Sequence, residues 1–147
     1  MTYFSEIVHL SDIARVHGNR CPEKKAFVFE DRVVTYKEFD INSEKVANGL
    51  VLENVNEQDH VAYMDKNSDR FYELVMGCAK SNSVIVGINW RLAPPEVAYI
   101  LNDSNAKILF VGEDFFGLIE KILKDVPSIE KVICMSGKNK DLSLIHI

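Results

Sequence analysis

Apolar residues recur along this chain in two rhythms, and each predicts a different element. Ile7, Leu10, Ile13 and Ala14 repeat at three- and four-residue spacing, which predicts a first helix stopped at Gly18-Asn19. Cys21-Pro22 then breaks the chain. Ala26-Phe27-Val28-Phe29 and Val33-Val34-Thr35 predict two strands joined around Glu30-Asp31-Arg32, a short antiparallel hairpin. Thr35 and Glu38 are spaced as a capping box, in which the hydroxyl accepts from an orphan N–H and the carboxylate reaches back. Phe39, Val46, Ala47 and Leu50 make the inward stripe of the next helix, which ends near Leu52.

From Asp59 onward strands and helices alternate. Val61-Ala62-Tyr63-Met64 is a strand, and Asn67-Ser68 caps a helix whose apolar face holds Phe71, Leu74, Val75 and Cys78. Val84-Ile85-Val86, between Asn82 and Gly87, has the β-branched run of a fully buried strand. Pro94 and Pro95 fit only the first turn of a helix, and Val97, Ile100 and Leu101 then share one face. Ile108-Leu109-Phe110-Val111 is the next strand. Phe115 to Leu123 is an amphipathic helix, and Val132-Ile133-Cys134-Met135 is a last strand. The fold class expected is α/β: a mainly parallel sheet with flanking helices and right-handed crossovers, plus an N-terminal antiparallel hairpin.

Several of these segments together resemble the AMP-forming acyl-CoA synthetases and other adenylate-forming enzymes. The likeness runs through Lys80-Ser81-Asn82, Asn89-Trp90-Arg91-Leu92, Pro94-Pro95-Glu96 and the run from Tyr99 to Lys107, YILNDSNAK. Thr35-Tyr36-Lys37-Glu38-Phe39 matches the family's Thr-Tyr-x-Glu-Leu signature, and the Asn89-Trp90-Arg91-Leu92 form leans to the fatty-acyl branch. The resemblance implies the incomplete first part of the family's N-terminal domain, over residues 1–141. Departures from the pattern are Asn54, Gln58 and Asn82, where the family shows glycine, and Gly87, where it shows proline. Asparagine tolerates the left-handed conformation, but Gln58 does not do so readily, so the turns at Gln58, Asn82 and Gly87 are expected to be remodelled.

Composition narrows the classes further. With 47% apolar and 27% charged residues the chain can bury a core. Its net charge of −5 and scattered basic residues argue against a nucleic-acid partner. No apolar run approaches the roughly 18 residues of a membrane span. The first twenty residues carry charges throughout, without the apolar block of a signal peptide. Cys21, Cys78 and Cys134 are odd in number and widely spaced, as expected of reduced thiols in a cytoplasmic protein.

The resemblance implies a parent enzyme that activates a carboxylic or fatty acid with ATP and Mg2+, releasing pyrophosphate, and passes the acyl group to coenzyme A. The family's Ser/Thr/Gly-rich phosphate loop, Tyr-Gly-x-Thr-Glu segment, ribose-binding aspartate and C-terminal-domain lysine have no counterpart in this sequence. Ser136-Gly137-Lys138 lacks a second glycine and a following helix pattern, and is expected to be an ordinary turn. The chain alone is therefore expected to be inactive, with no catalytic residue or metal ligand of its own and no tight binding of ATP, coenzyme A or Mg2+. Its oligomeric state is left open.

Arg91 is the one candidate binding residue, because the resemblance puts the matching arginine near the nucleotide phosphates of coenzyme A, and a guanidinium suits a phosphate. The alternative for Arg91 is a carboxylate partner or carbonyl cap, and for Trp90 simple packing. His9, His17, His60 and His146 show no metal spacing, and His60 is expected to be exposed. Asp65, Lys66 and Asp69 are expected to cap a loop, and Cys78 to act as a small hydrophobe. Residues 142–147, LSLIHI, match no family pattern and coincide with a translated transposase adapter end, so a non-native tail is expected. Two other readings stay open: a part of an adenylating enzyme that does not use coenzyme A, and a free-standing α/β binding module.

Overall fold

The computed structural model describes residues 5–135 and, as backbone alone, residues 143–146. The chain divides into two compact units. One comprises residues 1–57 and 67–83, the other residues 58–66 and 84–147.

The first unit contains α1 (Asp12–Arg20), β1 (Lys25–Phe29), β2 (Arg32–Thr35), α2 (Tyr36–Leu52) and α3 (Asp69–Lys80). Strands β1 and β2 form the expected antiparallel hairpin, with Val28 opposite Val33. The capping box is present: the Thr35 hydroxyl accepts from the Glu38 N–H at 3.2 Å, and Glu38 accepts from the Thr35 N–H at 2.8 Å. The buried stripe of α2 is Phe39, Ser43, Ala47 and Leu50. Gly77 lets α3 lie directly on α2, since a Cβ there would sit 2.4 Å from Val46 Cγ1. Phe27 meets Phe39 edge-on and stacks on Tyr72, at centroid distances of 4.9 and 5.0 Å.

Expectations at the two ends of α1 and at the start of α3 are corrected. Helix α1 begins at Asp12, leaving Val8 and Leu10 exposed, because the Asp12 carboxylate accepts the N–H groups of Val8 and His9 and turns the chain ahead of the helix. It also runs through Gly18, which is a close-approach position: a Cβ there would lie 3.2 Å from Asp40 Cβ. At the start of α3, Ser68 occupies the cap position but its side chain makes no capping bond. Asp69, expected as a loop cap, instead holds Arg32, with Nε to Oδ2 at 3.0 Å and Nη2 to Oδ1 at 2.6 Å. That pair ties the hairpin to α3.

The second unit contains β3 (His60–Met64), β4 (Val84–Gly87), α4 (Pro94–Ser104), β5 (Ile108–Gly112), α5 (Phe116–Ile122), β6 (Lys131–Met135) and β7 (Ser143–His146). They form one sheet in the order β4-β3-β5-β6-β7, parallel except where β7 meets β6. Ala62 and Met64 of β3 and Leu109 and Val111 of β5 pack with Val97, Leu101, Ile119 and Ile122 of the two helices into a closed core. Pro94 and Pro95 start α4, where Glu96 accepts the Ala93 N–H at 2.8 Å. A short 3-10 turn at Glu113–Phe115 precedes α5, which is thus shorter than expected.

Strand β4 is half-buried, not fully buried, because among the described residues it is the outermost strand of this sheet and pairs with β3 alone. His60 is likewise half-buried, at the first position of β3. Asn54, Gln58 and Asn82 adopt φ of 60°, 65° and 56°. The left-handed turns that glycine would favour are therefore kept there with larger side chains, and Gln58 and Asn82 do not remodel them. Of the tail, only the β7 backbone is described. The segment Ser136-Gly137-Lys138, expected as a turn, lies outside the described residues.

Candidate functional site at the carboxyl end of the sheet

In the second unit the chain leaves β3 towards β4 on one side, and β5 lies on the other. Open α/β sheets place ligands at such a switch point, beyond the carboxyl ends of the strands. Three segments meet there: Asp65-Lys66 after β3, Asn89-Trp90-Arg91-Leu92 after β4, and Glu113-Asp114-Phe115 after β5.

Local hydrogen bonds hold the segments after β3 and β4. The Ile88 N–H donates to the Tyr63 carbonyl at 2.8 Å, carrying the β3–β4 pairing one residue further. The Asn89 side-chain oxygen accepts the Arg91 N–H at 3.0 Å and its carbonyl accepts the Leu92 N–H at 3.1 Å, which makes a tight turn. Lys66 is fixed from both sides, its N–H donating to Asp65 Oδ1 and its carbonyl accepting the Tyr63 hydroxyl, each at 2.7 Å.

Side chains then gather around Trp90. The Arg91 guanidinium lies 4.0 Å from the indole centroid, an intimate stacking contact. The Lys66 ammonium lies 5.7 Å from Trp90 and 6.0 Å from Phe115, and the two rings are 5.8 Å apart. Asp114 completes the group, its Oδ2 3.0 Å from Lys66 Nζ. Among the described residues no carboxylate pairs with Arg91, which is exposed. Asp65 is different in character. Burial raises its carboxyl above the usual carboxylate range, the Lys66 N–H opposes that, and the neighbouring charge of Asp114 adds to it.

Among the described residues Arg91 thus neither pairs with an acid nor caps a carbonyl through its side chain; its guanidinium lies 4.0 Å from the Trp90 ring centroid. Lys66 caps no loop through its ammonium but joins the same cluster. That grouping escaped sequence reasoning, although both residues follow carboxyl ends of adjacent strands. The histidines are not brought together: His9 and His17 belong to the first unit, His60 to the second, and the His146 side chain lies outside the described residues. Among the described residues no three His, Cys, Asp or Glu side chains gather as metal ligands. Cys78 is buried on α3 and its thiol is pushed up to about 11 by burial, so it is a small hydrophobe and no nucleophile.

Comparison with known proteins agrees with the fold. The family model described as AMP-binding enzyme matches residues 14–144. A fatty acid–[acyl-carrier-protein] ligase of Streptomyces coeruleorubidus is 39% identical over 106 residues, which is 72% of this chain and 20% of that protein. A 4-hydroxybutyrate–CoA ligase of Metallosphaera sedula is 28% identical over 97% of this chain and 26% of its own length. The inhibitor-bound N-terminal domain of FACL13 from Mycobacterium tuberculosis superposes with a TM-score of 0.83 at 29% identity, covering 86% of this chain and 33% of that one. An anthranilate CoA ligase in complex with anthranoyl-AMP gives the same TM-score and identity, over 86% of this chain and 25% of its own. The chain therefore spans only about a fifth to a quarter of the curated relatives' length, and within that span it belongs to the AMP-binding enzyme family.

Proposed function

We infer that the chain is the opening part of an AMP-forming acid–thiol ligase that activates a carboxylic acid, a fatty acid in the first instance, and transfers it to coenzyme A. Relatives named as CoA ligases of 4-hydroxybutyrate and anthranilate support transfer to coenzyme A, and one named as a fatty acid–[acyl-carrier-protein] ligase supports activation of a fatty acid. When bound, ATP with Mg2+ supplies the adenylate and the pyrophosphate leaving group. The residues that would hold them in the family have no counterpart in this sequence, so the 147-residue chain does not adenylate unaided. Pyrophosphate release across a panel of fatty acids tests this, and turnover above the blank would contradict it.

This chain's own contribution is a docking point for the nucleotide portion of coenzyme A. One observation carries it: Arg91 presents an exposed guanidinium, stacked 4.0 Å from Trp90, with no carboxylate partner among the described residues. A guanidinium with its donor edge unengaged is suited to bidentate contact with a phosphate. In the complete ligase, Arg91→Ala should raise the Michaelis constant for coenzyme A and leave the adenylation half-reaction unchanged. An unchanged constant would remove Arg91 from the account.

A further inference from the structure

We propose that Lys66 is a positioning residue for this docking point: its ammonium fixes the Trp90 indole, and through it the Arg91 guanidinium. The inference rests on the reading of Arg91 given above.

Three observations carry it. Lys66 starts from a rigid base, since Tyr63 and Asp65 hold its carbonyl and N–H at 2.7 Å each. Its ammonium is anchored by Asp114 at 3.0 Å and stands 5.7 and 6.0 Å from the centroids of Trp90 and Phe115. Arg91 in turn has its ring contact with Trp90 alone among the described residues. An exposed ion pair of this kind adds little to global stability, because both side chains are more than half exposed. Its consequence is local. A cation held over an aromatic face restrains the ring against rotation, and a restrained ring gives the flexible arginine stem a defined surface to lie on.

Trp90 is the one tryptophan of the chain, so its emission reports on this cluster directly. The experiment follows the fluorescence anisotropy decay of Trp90 without ligand, then titrates coenzyme A, for the wild-type chain, Lys66→Met and Lys66→Arg. Met keeps the apolar stem and removes the charge. Arg restores a cation.

The expected result is faster local motion of Trp90 in Lys66→Met and an affinity for coenzyme A lowered about threefold, the effect of losing one exposed cation–π contact. Lys66→Arg recovers both, and the urea midpoint is the same in all three. Wild-type anisotropy in Lys66→Met overturns the proposal, whether or not coenzyme A binds. If the wild-type chain ignores coenzyme A while Lys66→Met still frees the ring, the Arg91 reading fails and the positioning of Trp90 by Lys66 stands.

Discussion

Gly112 and Asp65 occupy the same space at the ends of neighbouring strands: a Cβ on Gly112 would sit 2.3 Å from Asp65 Oδ1. Residue 112 ends β5 and Asp65 follows β3, and the missing side chain leaves room for a carboxylate. Gly112→Ala should therefore destabilise the chain by about 1–3 kcal/mol, the range for overpacking a filled site. Urea denaturation reads this, and Asp65→Ala in the same chain should recover most of the loss. Equal losses with and without Asp65 would show that the two do not compete.

Asp65 also predicts a pH effect of definite sign. Its folded carboxyl titrates above the unfolded value of about 3.9, mainly because burial disfavours the charge. The folded state then binds the proton more tightly than the unfolded state. Stability from this group is present below the unfolded value and is lost as pH rises through the raised one. Asp65→Asn should remove that slope from a stability–pH profile in mildly acidic solution, and an unchanged slope would contradict the assignment.

Arg32 and Asp69 predict the opposite sign in the first unit. Burial alone would raise Asp69, but the Arg32 hydrogen bonds and charge outweigh it and hold the carboxyl below the usual range. That stability is present above the unfolded value and lost as pH falls through the lowered one. Arg32→Met strands a carboxylate whose side chain is 2% exposed, and should cost about 2 kcal/mol; the figure is discounted from a fully buried pair because Arg32 is 35% exposed. A loss under about 0.5 kcal/mol in thermal or urea unfolding would show the pair to be incidental.

Strands β3 to β6 could be located from their short apolar runs, and the capping box at Thr35 and Glu38 from spacing alone, because those signals are local. Strand β7 was not expected, since the run Val132-Ile133-Cys134-Met135 is the last strand the pattern predicts. Signals that depend on distant neighbours were not legible. Nor was one local side-chain contact: Ile7 and Leu10 carry helical spacing with Ile13 but lie ahead of α1, with Leu10 exposed, since the Asp12 carboxylate binds this stretch of backbone. Val84-Ile85-Val86 has the composition of a central strand and occupies an edge, which only strand order decides. Of the site, Arg91 was visible through its motif. Its contact with Trp90, and the approach of Lys66 and Phe115, depend on three loops meeting across two strand pairings.

Gln58 offers a test of backbone strain. It holds φ of 65°, where a side chain with a Cβ is strained and glycine is not. Relief of that strain exceeds the entropy glycine adds to the unfolded chain, so Gln58→Gly should stabilise by about 0.5 kcal/mol. Asn54→Gly and Asn82→Gly should gain less, since asparagine tolerates this region. Destabilisation by Gln58→Gly, measured by urea midpoint, would mean its side chain contributes more than the turn costs.

We propose that Arg91 gives the ligase a docking point for coenzyme A. Titrating the 147-residue chain with coenzyme A to millimolar concentration, while following Trp90 emission, tests it most directly. Saturable quenching is expected in the wild-type chain and its loss in Arg91→Ala, with both proteins unfolding at the same urea concentration. Quenching that survives Arg91→Ala, or a wild-type chain that does not respond, would contradict it.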